Sequence, residues 1–396
     1  MSDYLPPEVV TLILSRLPVE SAVKCTAVCK SWYALIKDPS FISTHLQQAL
    51  LSLHHNDLLL LSFVRDGRVF CRLHRDDDAT FGDYKQFRPL EFGFGFFVVG
   101  TCKGLICLAM DADPTWNNII LWNPSIHKHF TLPNPDLPYS KSHDSNLGFG
   151  FDSVSNDFKV LVFLHFRRRE SVVIEVWLFS LNRLSWTRHR EVMSPNESMF
   201  SPWDAVFAKG VLHCPALFWD SKKGHSSHMI SAFDMSTERF YVMNFPETLA
   251  NDMEYEMSLV QYEESIAVVR RRRRRRRRRN RYLDDRQFEL WVMKEYGVSS
   301  SWTKVFHSID ENGAFVFGPD FIIDVFGVRK KGKVLLKVRR EHEEGHNLAT
   351  LDLNGQQLKH HVGIININFR DTFLGNFVES LVLLDIGKKD TMGAAV

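Results

Sequence analysis

Leu5-Pro6-Pro7-Glu8-Val9-Val10, Ser15-Arg16-Leu17-Pro18, Val28-Cys29-Lys30-Ser31-Trp32-Tyr33 and Asp38-Pro39-Ser40-Phe41 follow one another within the first fifty residues. Pro7 stands near a first helical turn, where its missing N–H costs little. Val10, Ile13, Leu14 and Leu17 recur at helical spacing, and Pro18 forces a break. Val9 and Leu12 fall on another side of the same helix, which is therefore apolar on two sides and must bury both. Ala22, Val23, Ala27 and Val28 mark a second short helix, and Trp32, Leu35 and Ile36 a third. Phe41, Ile42, Leu46 and Leu50 continue helically toward the next domain. A segment of roughly fifty residues supplies a core for one of the two apolar sides, not both. The second side calls for a partner; the alternative is a three-helix bundle packed on the rest of the chain.

From about residue 56 the texture becomes strand-like. An apolar, often aromatic strand, a polar turn and a second strand recur. With Phe70, Trp122, Phe179, Phe233, Trp291 and Leu351 as anchors, the spacing stays between about 52 and 60 residues. Further strands fit between these hairpins around Leu105, Leu161, Leu212, Ala267 and Leu335. Asn354-Gly355 is a two-residue hairpin signal. Six units of this size predict a kelch-like β-propeller of about six blades, with a pair of irregular β-sandwiches as the alternative. The chain is thus expected to be an α+β multidomain protein: a helical domain over 1–48, then an all-β domain over 49–390.

The order Leu-Pro, Leu-Pro, Val-Cys-Lys-x-Trp, Asp-Pro-Ser-Phe over residues 5 to about 46 resembles an F-box. That resemblance implies docking onto a Skp-type linker protein and, through it, onto a cullin ubiquitin ligase. It implies linker contacts at Leu5, Pro6, Ile13, Leu14, Leu17, Pro18, Val23, Val28, Cys29, Lys30 and Trp32, some of which will be core instead. The body has a matching resemblance. Gly100-Thr101-Cys102-Lys103-Gly104-Leu105, Leu121-Trp122-Asn123-Pro124, Leu147-Gly148-Phe149-Gly150-Phe151-Asp152, Trp291-Val292-Met293-Lys294-Glu295-Tyr296-Gly297 and Phe377-Val378-Glu379-Ser380-Leu381 resemble the plant F-box-associated domain, in family order. Cys214 departs from that pattern, where Trp is frequent. The layout implies a substrate adaptor that binds a protein target, not identified by sequence, through loops of the β domain, with no catalytic residues and no cofactor.

Other features test rival functions. Ten consecutive arginines run from Arg270 to Arg279; without them the formal charge of +2 becomes −8, so the folded body is mildly acidic. The run falls between two strands and is expected to be a solvated loop insertion over 270–281. It supports the alternative of a nuclear or nucleic-acid-associated protein, but no aromatics interleave with it, so only non-specific polyanion binding is expected. His342-Glu343-Glu344-Gly345-His346 has the letters of a zinc-protease motif; between two strands it reads as a hairpin tip, and no metal is expected. Cys25 and Cys29 lie four apart without two further ligands nearby. Cys102 and Cys107 would face opposite sides of one continuous strand, unless Gly104 breaks it. Asn196-Glu197-Ser198 has the letters of a glycosylation acceptor, but no basic stretch followed by an apolar core opens the chain and no apolar run is long enough for a bilayer. A reducing compartment, cytoplasmic or nuclear, is the expectation.

Overall fold

Proline punctuation shapes the first fifty residues. The chain forms four helices: α1 (Pro7–Leu14), α2 (Val19–Cys25), α3 (Lys30–Ile36) and α4 (Pro39–Leu51). Pro7 and Pro39 open α1 and α4, and the Asp38 carboxylate caps α4 by accepting from Ser40 N at 2.8 Å. The helical continuation expected at Phe41, Ile42, Leu46 and Leu50 is α4, a fourth helix beside the three counted from the sequence. α4 buries Phe41, Ile42, His45 and Leu46, and His45 Nε2 donates to the Leu17 carbonyl at 2.8 Å. The apolar repeat that reads as a connector is a core helix of the head.

The computed structural model describes residues 5–52, 58–65, 68–76, 81–88, 95–110, 116–137, 143–167, 172–192, 197–200, 205–220, 224–274, 282–308, 321–329, 332–340, 347–353, 357–361 and 372–385. Beyond the head, the strands form six antiparallel sheets in chain order, the plan of a six-bladed β-propeller. The chain divides into two compact units, Met1–Leu137 with Arg370–Val396, and Pro138–Phe369.

The first unit holds the head and two sheets. Sheet 1 orders its strands Thr372–Phe377, Leu58–Arg65, Arg68–Arg75, Asp83–Gln86. Its first strand comes from the far end of the chain, and Leu58 pairs with Phe377. Sheet 2 is Phe96–Cys102, Leu105–Met110, Ile119–Asn123, Lys128–Thr131. Leu60, Leu73, Phe87, Ile106, Trp122 and Phe377 share the core between them. The segment after Phe377 closes on sheet 2. Asn123 Nδ2 donates to the carbonyls of Ser380 (2.9 Å) and Val382 (2.8 Å), and Lys128 Nζ to that of Leu384 (3.0 Å). Gly104, at φ +85, has no room for a side chain: a Cβ there would lie 2.3 Å from Ser380 Oγ and 2.6 Å from the Val378 carbonyl. The Lys103-Gly104 turn also separates the two cysteines, which sit on neighbouring strands, Cys102 opposite Leu105 and Cys107 opposite Gly100.

The second unit holds four sheets. Sheet 3 is His143–Asp152, Asp157–Arg167, Val172–Ser180, Ser185–Val192. In sheet 4, Glu197–Phe200 and Val206–Ala208 both pair with Val211–Asp220, followed by His225–Asp234 and Arg239–Asn244. Sheet 5 is Tyr255–Tyr262, Ser265–Arg274, Tyr282–Met293, Trp302–His307, and sheet 6 is Phe321–Arg329, Lys333–Arg340, Asn347–Asp352, Gln357–His361. Every anchor of the sequence repeat, from Phe70 to Leu351, lies on the third strand of its sheet.

Gly148 and Gly150 are small because sheet 4 crowds them: a Cβ at either would lie 2.2 Å from Leu212 or 2.5 Å from Phe207. Asp152, at the end of that strand, meets Lys159 at 3.0 Å and Ser236 Oγ at 2.8 Å, while Lys159 also reaches Glu238 at 2.9 Å. Burial opposes the Asp152 charge, but these donors prevail and hold the carboxyl well below the usual carboxylate range. His213 links two sheets. Its Nδ1 donates to the Val206 carbonyl (3.1 Å), so Nε2 of the neutral ring accepts from the Tyr296 hydroxyl (2.7 Å).

The arginine run is not wholly a loop. Strand Ser265–Arg274 carries its first half into sheet 5, which corrects the insertion expected at 270–281; residues 275–281 lie outside the described residues. The strand tolerates these charges because carboxylates meet them. Arg270 pairs with Glu289 (3.0 Å) and with Asp252, and its guanidinium lies 3.7 Å from the Tyr255 ring centroid. Arg271 pairs with Asp324, and Arg272 with Glu254 (3.3 Å). Trp291 Nε1 and Lys304 Nζ also donate to Glu289.

Two outcomes follow from these buried groups. Arg270→Ala strips a buried cation from Glu289 and Asp252 and is expected to cost about 3 kcal/mol in urea unfolding. Arg272→Ala, whose ion pair is half exposed, should cost under about 1 kcal/mol. Burial depresses His213 to a pKa of about 4, whereas the unfolded ring titrates near ~6.5. The unfolded chain therefore takes up the proton first. Stability is whole above about pH 6.5 and falls toward pH 4 by as much as roughly 3 kcal/mol. Thermal unfolding across that window should show a shallower pH dependence in His213→Gln; equal slopes would refute this assignment.

Candidate functional site

The helical head carries the candidate site, and its geometry follows from α1. At 100° per residue, Val9, Leu12 and Ile13 lie within about 100° of one another on one face. Leu14, in contrast, turns inward and is 1% exposed. Leu12 and Ile13 are 49% and 48% exposed, and Val9 and Leu5 are exposed beside them. The grouping of Ile13 with Val10, Leu14 and Leu17 is corrected accordingly: Ile13 belongs to the outward face with Val9 and Leu12. Thr11 Oγ1 returns a hydrogen bond to the Pro7 carbonyl (2.8 Å), and the Ser15 Oγ at the C-cap one to the Leu12 carbonyl (3.0 Å), so these two hydroxyls are spent on the helix's own backbone.

The link between α2 and α3 adds a second exposed apolar stretch. Val28 is 62% exposed, and Cys29 and Lys30 are exposed with it. Cys29 stands at the N-terminus of α3 in extended backbone, its Sγ 3.1 Å from Ser31 Oγ. Hydrogen bonds from that hydroxyl and from the Trp32 backbone N–H lower the thiol below its ordinary pKa. Tyr33 is exposed one turn on, with Lys37 Nζ 3.2 Å from its hydroxyl.

Of the residues singled out from the sequence, Leu5, Pro6, Ile13, Pro18, Val28, Cys29 and Lys30 are exposed, Leu17, Val23 and Trp32 are half-buried, and Leu14 is core. Val9, Leu12 and Tyr33 were not among them yet are as exposed as those that were. The signal for Val9 and Leu12 was the second apolar side of α1. Tyr33 carried none, since its outward direction depends on how α3 seats on α4.

The other chemically suggestive side chains that the structure describes include the buried cysteines. Burial pushes the Cys102 thiol up to about 12 and raises those of Cys71 and Cys107 further. Among the described residues no three His, Cys, Asp or Glu side chains gather as a metal site, and no helix is long and apolar enough to cross a membrane. His342 and His346 lie outside the described residues, as does Asn196.

Comparison with known proteins agrees with this division. Residues 2–48 match an F-box-like family, and residues 58–360 match a family described as the F-box associated beta propeller domain. F-box protein CPR1 of Arabidopsis thaliana is 30% identical over 319 residues, 76% of this chain and 72% of that protein. An F-box/kelch-repeat protein of the same plant is 27% identical over 319 residues, 76% of this chain and 78% of its own length. Among solved structures, the six-bladed β-propeller lectin of Aleuria aurantia aligns over 78% of this chain and 96% of its own, with 11% identity and a TM-score of 0.41. With a helical head that matches the F-box and a body that matches the associated propeller over most of its length, this chain belongs to the F-box proteins that carry an F-box associated β-propeller domain.

Proposed function

We propose that this chain is the substrate-recognition subunit of a Skp–cullin–F-box ubiquitin ligase. The observation that carries the reading is the uncovered apolar face of the head: Val9, Leu12, Ile13 and Val28 stay in solvent although the chain has a large β domain of its own on which to bury them. Burying a Val, Leu or Ile side chain contributes about 1.5–3 kcal/mol, so a partner that covers this face gains affinity from four or five such side chains. A Skp-type linker fits that role, and a cullin would be recruited through it. The β domain would hold a protein target on its loops. Catalysis would reside in other subunits; this chain supplies proximity, raising the effective concentration of target lysines near the conjugating enzyme. We place it in the cytoplasm or nucleus, where its six free cysteines would stay reduced.

Separation of core from surface makes the test clean. Ile13→Glu and Val28→Glu should each weaken co-purification with a Skp-type protein by at least about tenfold while leaving the melting temperature unchanged, because neither side chain is core. Leu14→Ala should instead lower stability by about 2–4 kcal/mol through a cavity in the head. A folded chain that captures no Skp-type protein, or that captures it undiminished with both Glu substitutions, overturns the adaptor reading.

The alternative of a polyanion-binding protein would draw on the arginines beyond Arg272, since Arg270, Arg271 and Arg272 are already met by carboxylates. Replacing residues 275–279 by Gly and Ser should abolish salt-sensitive retention on heparin and leave target turnover intact. Turnover lost together with heparin binding would favour that alternative.

A further inference from the structure

Lys85 sits on the outer strand of sheet 1, Asp83–Gln86. Its Nζ donates to Glu20 Oε1 at 2.7 Å and to Glu379 Oε1 at 2.7 Å. Glu20 belongs to α2, and Glu379 to the segment that follows the C-terminal strand of sheet 1. One ammonium thus joins three stretches of chain: the helical head, the fourth strand of the sheet and the closing segment. The Phe87 ring lies 5.5 Å from the same Nζ, and the Glu379 carboxylate is nearly buried, so water competes poorly for the bonds on that side. Helices share no hydrogen-bond ladder with a sheet, so the orientation of the head on sheet 1 has to be set by side chains such as these.

We propose that Lys85 is a positioning residue that holds the helical head in one orientation on the first sheet, through Glu20 on one side and Glu379 on the other. The proposal rests on the adaptor reading for its purpose. A ligase bridges a conjugating enzyme and a target lysine across two domains of this chain, and the effective concentration it creates falls when the joint between them swings. The apolar face of α1 is separate from this tie, so the two can be disturbed independently.

Hydrogen exchange on the full chain, free and with a Skp-type linker bound, decides it. Lys85→Met should speed exchange of the α2 amides and of residues 378–384 by about tenfold, while Lys85→Arg, which keeps a cation with two donors in reach, should restore protection. Glu20→Gln should loosen α2 and spare the closing segment; Glu379→Gln should do the reverse. Linker affinity of Lys85→Met should stay within about twofold of the unaltered chain. Unchanged α2 protection in Lys85→Met overturns the proposal, as does uniform loosening by Glu20→Gln. If Lys85→Met fails to fold, Glu20→Gln, altered at an exposed side chain, decides the matter by the same exchange pattern. A linker that never binds the unaltered chain defeats the adaptor reading, and exchange in the free chain still judges the tie.

Discussion

The first unit depends on the return of the chain's far end. Residues 372–377 zip antiparallel onto the strand Leu58–Arg65 and complete sheet 1 at that edge. The segment that follows is then held by Asn123 and Lys128 and pressed against Gly104, where no side chain fits. Pairing ends this distant in sequence carries a closure entropy, offset here by the strand ladder and by side-chain bonds to the carbonyls of Ser380, Val382 and Leu384. The same segment supplies Glu379, one of the two carboxylates on Lys85, so closure of the sheet and seating of the head are linked through a single side chain.

Both units set one lysine between two carboxylates: Lys85 between Glu20 and Glu379 in the first, Lys159 between Asp152 and Glu238 in the second. The second unit also gathers Arg270 and Lys304 on Glu289. The latter explains how an unbroken arginine run begins inside a sheet. Like charges on a strand repel, but alternate side chains point to opposite faces, and each of the first three arginines finds its own acid: Glu289 and Asp252, then Asp324, then Glu254. Poly-arginine is an unfavourable strand sequence by composition, and tertiary partners override that preference.

The helical head shows how an exposed apolar face coexists with a filled interior. α4 buries Phe41, Ile42, His45 and Leu46, and the other helices bury Leu14, Val19, Ala22 and Ile36. With the interior filled from four helices, the outward face of α1 and the link before α3 remain apolar without loss to the fold.

Much of this was legible in the sequence. Six aromatic or apolar anchors recurring at the spacing of a blade located the third strand of every sheet. Pro7 located the start of α1 and Pro18 the break after it, and the two-sided apolar pattern of α1 announced a second apolar face. Local patterns are silent about what long-range packing decides. Tertiary structure alone settled that Leu14 is core while Ile13 is surface, since a difference of one residue on a helix is resolved only by where the neighbouring helix lies. It alone placed Arg270 in a sheet, because the acids that neutralise it come from other segments. It alone joined Glu20, Lys85 and Glu379, residues far apart in the chain whose meeting is a property of sheet closure and of no local sequence.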